Sequence, residues 1–167
     1  TLQRASDSYY WTGSAWQSGS FTLATTSAAA NGGASAVAWT SSATAPTWTD
    51  GSYTVAVSGK DYRNNSTSVS STFTVDVTAP TVTNVTSTLA DGAYTVGHVI
   101  PVTVTFSEAV TGFTAADLVV AGGSVSNFSG SGTTYTFDVT ATDDSTADIT
   151  VDIAAGAAQD ANGNGST

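Results

Sequence analysis

The chain has 167 residues, 40% of them hydrophobic, no cysteine, and a formal net charge of -10. That length suits one large domain or two small ones with a packed core, and it excludes disulfides, thiolate metal sites and cysteine catalysis. Arg4, Lys60 and Arg63 all precede Pro80, so no cationic cluster exists to hold a nucleic acid or an anionic membrane surface, and no apolar run is long enough for a membrane span. Divalent cations suit such acidity, which also serves solubility. Val, Thr, Tyr, Phe and Trp favour a half-buried pleated surface, and the good helix formers are scarce; the composition is that of an all-β protein.

Residues 8–17, SYYWTGSAWQ, read as a hairpin with Gly13-Ser14 at the turn and Tyr10 and Trp16 on one face. Strands are expected at 20–26 and 35–42, with an Ala/Asn/Gly loop at 27–34 between them. Pro46 and Asp50-Gly51 punctuate a turn at 45–52. YTVAVSG (53–59) turns Tyr53, Val55 and Val57 inward, a polar loop follows at 60–67, and VSSTFTVDV (69–77) returns with Phe73, Val75 and Val77 on one face. After Pro80 the pattern restarts with a strand at 81–87. IPVTVTFS (100–107) is the clearest strand, with Val102, Val104 and Phe106 inward and Thr103 and Thr105 outward. FTAADLVV (113–120) allows one helical turn before a short strand. Strands at 123–129, 133–140 and 147–154 complete the pattern, the last with Ile149, Val151 and Ile153 on one side, and QDANGNGST is a closing loop.

Short strands with polar turns fit antiparallel β-sandwiches, and no helical pattern is long enough to cross over a parallel sheet. Pro80 has no N–H and restrains Ala79, so one ladder cannot run straight through. Residues 78–80 therefore read as a short linker between domains 1–78 and 79–167; a bulged strand inside one large sandwich is the alternative.

YTVAVSGKDYRNNSTSVSSTFTVDVTAPTVTNV resembles the junction between tandem immunoglobulin-like repeats of large bacterial surface proteins and adhesins. IPVTVTFSEAVTGFTAADLVVAGGSVSNFSGSGTTYTFDV with ITVDIAAGAAQDANGNGS looks like another such repeat. The resemblance implies tandem Ig-like antiparallel sandwiches on an extracellular bacterial surface. It further implies that the first domain lacks its first strands and the second its last. Either the chain is a window on a longer array or a neighbouring subunit supplies a strand, since an open edge invites strand addition.

No catalytic constellation is apparent, so no enzyme is expected. His98 lies beside a turn, Asp143-Asp144 read as a solvated turn, and the Gly-rich AGGS and SGSGTT lack a phosphate-binding lysine. Lys60, in an exposed loop, is poorly placed for an isopeptide bond, and the Asn-x-Ser/Thr matches are expected by chance. Hard oxygen ligands suit calcium, which takes six to eight of them: Asp50, Asp61, Asn64, Asp76, Glu108, Asp160, Asn162 and Asn164. Strand direction puts Asp50 and Asp76 at one pole of the first domain and Asp61 and Asn64 at the other. Glu108, after the strand ending at Phe106, and the loop Asp160-Ala161-Asn162 share a pole of the second. A junction site drawing on Asp50, Asp76, Glu108, Asp160 and Asn162 resembles linker calcium sites in adhesin arrays; the same residues also form turns without any metal. The expected role is a spacer, stalk or filament body whose partners are neighbouring repeats or subunits. The rivals are a module that binds a glycan or protein receptor through Tyr9, Tyr10, Trp11, Trp16, Trp39 and Trp48, and a subunit joined by strand exchange.

Overall fold

The structure is a computed structural model and describes residues 1–18, 25–27, 39–41, 44–60, 63–90, 92, 97–142 and 148–167. It divides into two compact units, Thr1–Val77 and Thr78–Thr167. Residues 20–24 of the strand expected at 20–26, residues 35–38 and 42 of the strand expected at 35–42, most of the 27–34 loop, Asp61 and Asp143-Asp144 lie outside the described residues.

The first unit begins with β1 (Leu2–Arg4), β2 (Tyr10–Trp11), β3 (Trp16–Gln17), β4 (Thr25–Ser27) and β5 (Trp39–Ser41). It ends with β6 (Gly51–Lys60) and β7 (Ser66–Val75). A five-stranded sheet runs in the order β3-β2-β1-β6-β7, and β4 pairs with β5 in a separate two-stranded sheet. The β2–β3 hairpin turns where expected: Thr12 N–H donates to the Ala15 carbonyl at 2.9 Å, and Gly13 has φ 98. Its facing differs from the expectation. Trp11 is opposite Trp16 and Tyr10 is opposite Gln17, so Trp11, not Tyr10, shares a face with Trp16.

The first unit's core is aromatic. Tyr53 is fully buried and Trp11 is 8% exposed. Tyr53 touches Trp16, Trp48 and Phe73, at ring centroid distances of 5.7, 5.0 and 5.8 Å. The Tyr53 hydroxyl donates to the carbonyl of Thr49, four residues upstream, at 2.9 Å. Immunoglobulin-like sandwiches use such a tyrosine corner where the chain enters a strand. β6 and β7 pair without a register break from Gly51↔Val75 to Lys60↔Ser66. Both start earlier than expected, and β6 also runs on past Gly59 while β7 stops at Val75, so Lys60 ends a strand rather than opening a loop. The alternation is there, but the burial is not: Val55, Val57 and Phe73 are 37%, 43% and 38% exposed. Val77 lies beyond β7 and is half exposed.

The second unit holds β8 (Val82–Ser87), β9 (Val99–Val110), a 3-10 turn (Ala115–Asp117), β10 (Leu118–Ala121), β11 (Gly123–Ala141) and β12 (Thr150–Ile153). One sheet is ordered β11-β9-β8 and the other is β10-β12. β11 doubles back on itself. Asn127 Nδ2 donates to Asp138 Oδ2 at 2.8 Å, and a Cβ on Gly130, whose φ is +143, would lie 2.5 Å from the Thr134 carbonyl. Only glycine tolerates that approach. The inner sides of the two sheets meet in one core. Val102, Val104 and Phe106 from β9 and Tyr135, Phe137 and Val139 from β11 are buried, with Leu118, Val120, Val151 and Ile153 packed against them. The outer side of β9 aligns Thr103 between Thr86 and Thr136, where threonine gives strand propensity and a solvated hydroxyl. The architecture is an all-β antiparallel sandwich.

Candidate metal centre

The second unit's closing loop is built around one carboxylate. Thr111 and Gln159 exchange backbone hydrogen bonds at 2.7 and 3.0 Å, which ties the loop to the end of β9. Ser166 pins it from the other side: its N–H donates to the Ala158 carbonyl at 2.8 Å, and its hydroxyl accepts the Ala158 N–H at 3.2 Å. Asp160, 3% exposed, occupies the centre. Its Oδ1 accepts the N–H groups of Asn162 and Asn164, both at 2.8 Å, and its Oδ2 accepts Asn164 Nδ2 at 2.7 Å. Burial alone would raise the Asp160 pKa, but the hydrogen bonds from Asn164, Asn162 and Gly163 outweigh it and hold the carboxyl below its ordinary value.

Carboxylate oxygens of Asp76, Glu108 and Asp160 all lie within 4.8 Å of one another. Ca–O distances are about 2.3–2.6 Å, so oxygens on opposite sides of one calcium stand about 5 Å apart. The spacing therefore fits a hard divalent cation. Each oxygen has two lone pairs, so Asp160 Oδ2 keeps one beside its bond to Asn164. Three carboxylates this close repel when ionised, which a cation would relieve.

The other sequence candidates hold different places. Glu108 lies inside β9, which continues to Val110 rather than ending at Phe106. Asp50 immediately precedes β6, and its Oδ1 accepts the Val77 N–H at 2.6 Å, closing the base of the β6–β7 hairpin. Asn64, with φ 70, sits in the loop at the hairpin's far end and serves the turn. Asp61 lies outside the described residues. Asn162 and Asn164 join the site through Asp160. Ser166, 4% exposed, is a buried contributor to this loop that sequence reading missed, because it looks like one more polar residue in a Gly/Asn/Ser run. Trp11 is not available to stack on a sugar: it is buried, and its indole N–H donates to the Thr44 carbonyl at 2.7 Å.

The two facing sheets, their antiparallel pairing and their inward-pointing alternate residues define an immunoglobulin-like β-sandwich. A family model described as a bacterial Ig-like domain matches residues 76–167, more than half of the chain. The chain belongs to the bacterial Ig-like domain family. The match begins at Asp76, so all three carboxylates of the cluster fall within the matched segment. No curated protein and no solved structure matches the chain. Bacterial Ig-like domains are a non-catalytic fold family and are often extracellular. Among the described residues no helix is long and apolar enough to cross a membrane.

Proposed function

We propose that this chain is a structural spacer in an extracellular bacterial surface protein, its two units adding length between functional parts. The supporting observation is the succession of two compact β units along the chain, the second of them an Ig-like domain of a family often found outside the cell. A spacer needs a closed fold and resistance to unfolding rather than a reactive group. Pulling the full chain between its ends tests the reading: two separate unfolding steps are expected, and one cooperative step would count against it.

Calcium is the cofactor proposed for the family-matched segment 76–167, held by Asp76, Glu108 and Asp160. It would cancel carboxylate repulsion and stabilise the folded state by mass action. The full chain should melt at higher temperature with calcium than with chelator, and Glu108→Gln should shrink that difference. An unchanged melting temperature would remove calcium from the proposal and leave the spacer reading standing.

A further inference from the structure

β7 closes one side of the first unit's sheet, and no described strand pairs with its outer edge. It is ten residues long, and its pairing with β6 shows no bulge. Proteins usually blunt such an edge with a charge, a proline or a bulge. Ser66–Val75, STSVSSTFTV, contains no charge and no proline. The edge of the second unit's β8 is treated differently: that strand is six residues long and its ladder has a register shift between Val82 and Asn84. β7 also exposes apolar side chains on one face: Val69 at 71% and Phe73 at 38%, beside Val55 and Val57.

From this edge we infer that β7 is a docking strand for a second copy of this chain, paired antiparallel about a twofold axis. Three observations favour a second copy. First, the strand is self-complementary. With Ser71 on the axis, Val69 stands opposite the partner's Phe73, and Phe73 opposite the partner's Val69. The apolar sides then form one continuous surface, as cross-strand pairing requires. Second, the strand is neutral in a chain of net charge -10, so two acidic copies meet where they repel least. Third, the hairpin is polarised. Asp50 and Asp76 lie at its open end, and Arg63 lies in the loop that joins β6 to β7. Antiparallel pairing brings each copy's Lys60 and Arg63, which together outweigh Asp61 in charge, to the other's acidic end.

Isologous pairing of this kind joins two five-stranded sheets into one and satisfies the row of backbone groups along both edges. It does not depend on the spacer reading, because self-association in solution can fail without affecting whether the units unfold separately. The test is sedimentation velocity of the full chain from low to high micromolar concentration. A concentration-dependent dimer is expected, weakened about tenfold by Val69→Lys and weaker at high salt. Val119→Lys is the control, since Val119 is 62% exposed on the second unit and should leave the dimer unchanged. Circular dichroism confirms that both variants are folded. A monomer at every concentration would overturn the inference, and so would a dimer indifferent to Val69→Lys.

Discussion

β9 and β6 carry the same alternation of inward apolar residues and are buried very differently. In β9, Val102, Val104 and Phe106 are 7%, 0% and 2% exposed. In β6, Tyr53 is fully buried, but Val55 and Val57, one and two steps along the same face, are not. Alternation names the face that seeks cover; a second layer must supply the cover. In the second unit β10 and β12 supply it through Leu118, Val120, Val151 and Ile153. In the first unit the cover around Tyr53 is aromatic and local, from Trp16, Trp48 and Phe73. Large rings concentrate burial at one end of the β6–β7 hairpin and leave the valines beyond it half exposed.

The widest contrast should come from truncating one inward residue in each unit. Phe137→Ala removes a ring from a closed core and should cost about 3–5 kcal/mol. Val57→Ala, on the apolar face of β6, should cost less than about 1 kcal/mol, because its side chain is already 43% exposed. Urea denaturation of the full chain, followed by far-UV circular dichroism, measures both. A Val57→Ala loss well above about 1 kcal/mol would mean that the β6 face is covered after all. Tyr53→Phe keeps the ring and deletes only the hydroxyl that bonds Thr49. A loss of about 1–2 kcal/mol, read as a lower urea midpoint, is expected from the unpaired carbonyl. No loss would mean that ring packing alone holds the corner.

The smallest effect should be acid sensitivity centred on Asp160. Its folded pKa is depressed below the ordinary 3.8. The unfolded state therefore binds the proton first as pH falls. The carboxylate's contribution is fully present above the unfolded value and is lost as pH drops through the folded one. Asp160→Asn should flatten the stability-versus-pH curve in that acid window and leave its shape near neutrality unchanged. Asp7, lowered by its hydrogen bond from Arg4, shifts in the same direction, but it is exposed and screened and should contribute little.

Much of this fold was legible as pattern. The inward set of β9, the single turn before β10 and the Tyr135-Phe137-Val139 face of β11 follow from period-two alternation and β-branched composition. Glu108 and Asp160 were legible as neighbours because strand direction fixes which loops share an end. The hairpin facing of Trp11 was not, since both Tyr10 and Trp11 are aromatic and the turn register decides between them. The Thr49–Tyr53 corner and buried Ser166 were hidden for a related reason. Each is a hydrogen bond made by an ordinary residue type, visible only once the backbone has brought the partner into reach.

By itself the sequence determined where most strands lie, though not their ends, which side of the longer strands is apolar, and that the chain is acidic and without thiols. These follow from local sterics, propensity and composition. Tertiary structure decided which apolar sides are covered, that Asp160 spends its oxygens on backbone and amide donors while standing within 4.8 Å of two other carboxylates, and that β7 ends its sheet with an undefended edge among the described residues. Each of those depends on residues distant in sequence coming together. No local period encodes which surfaces meet.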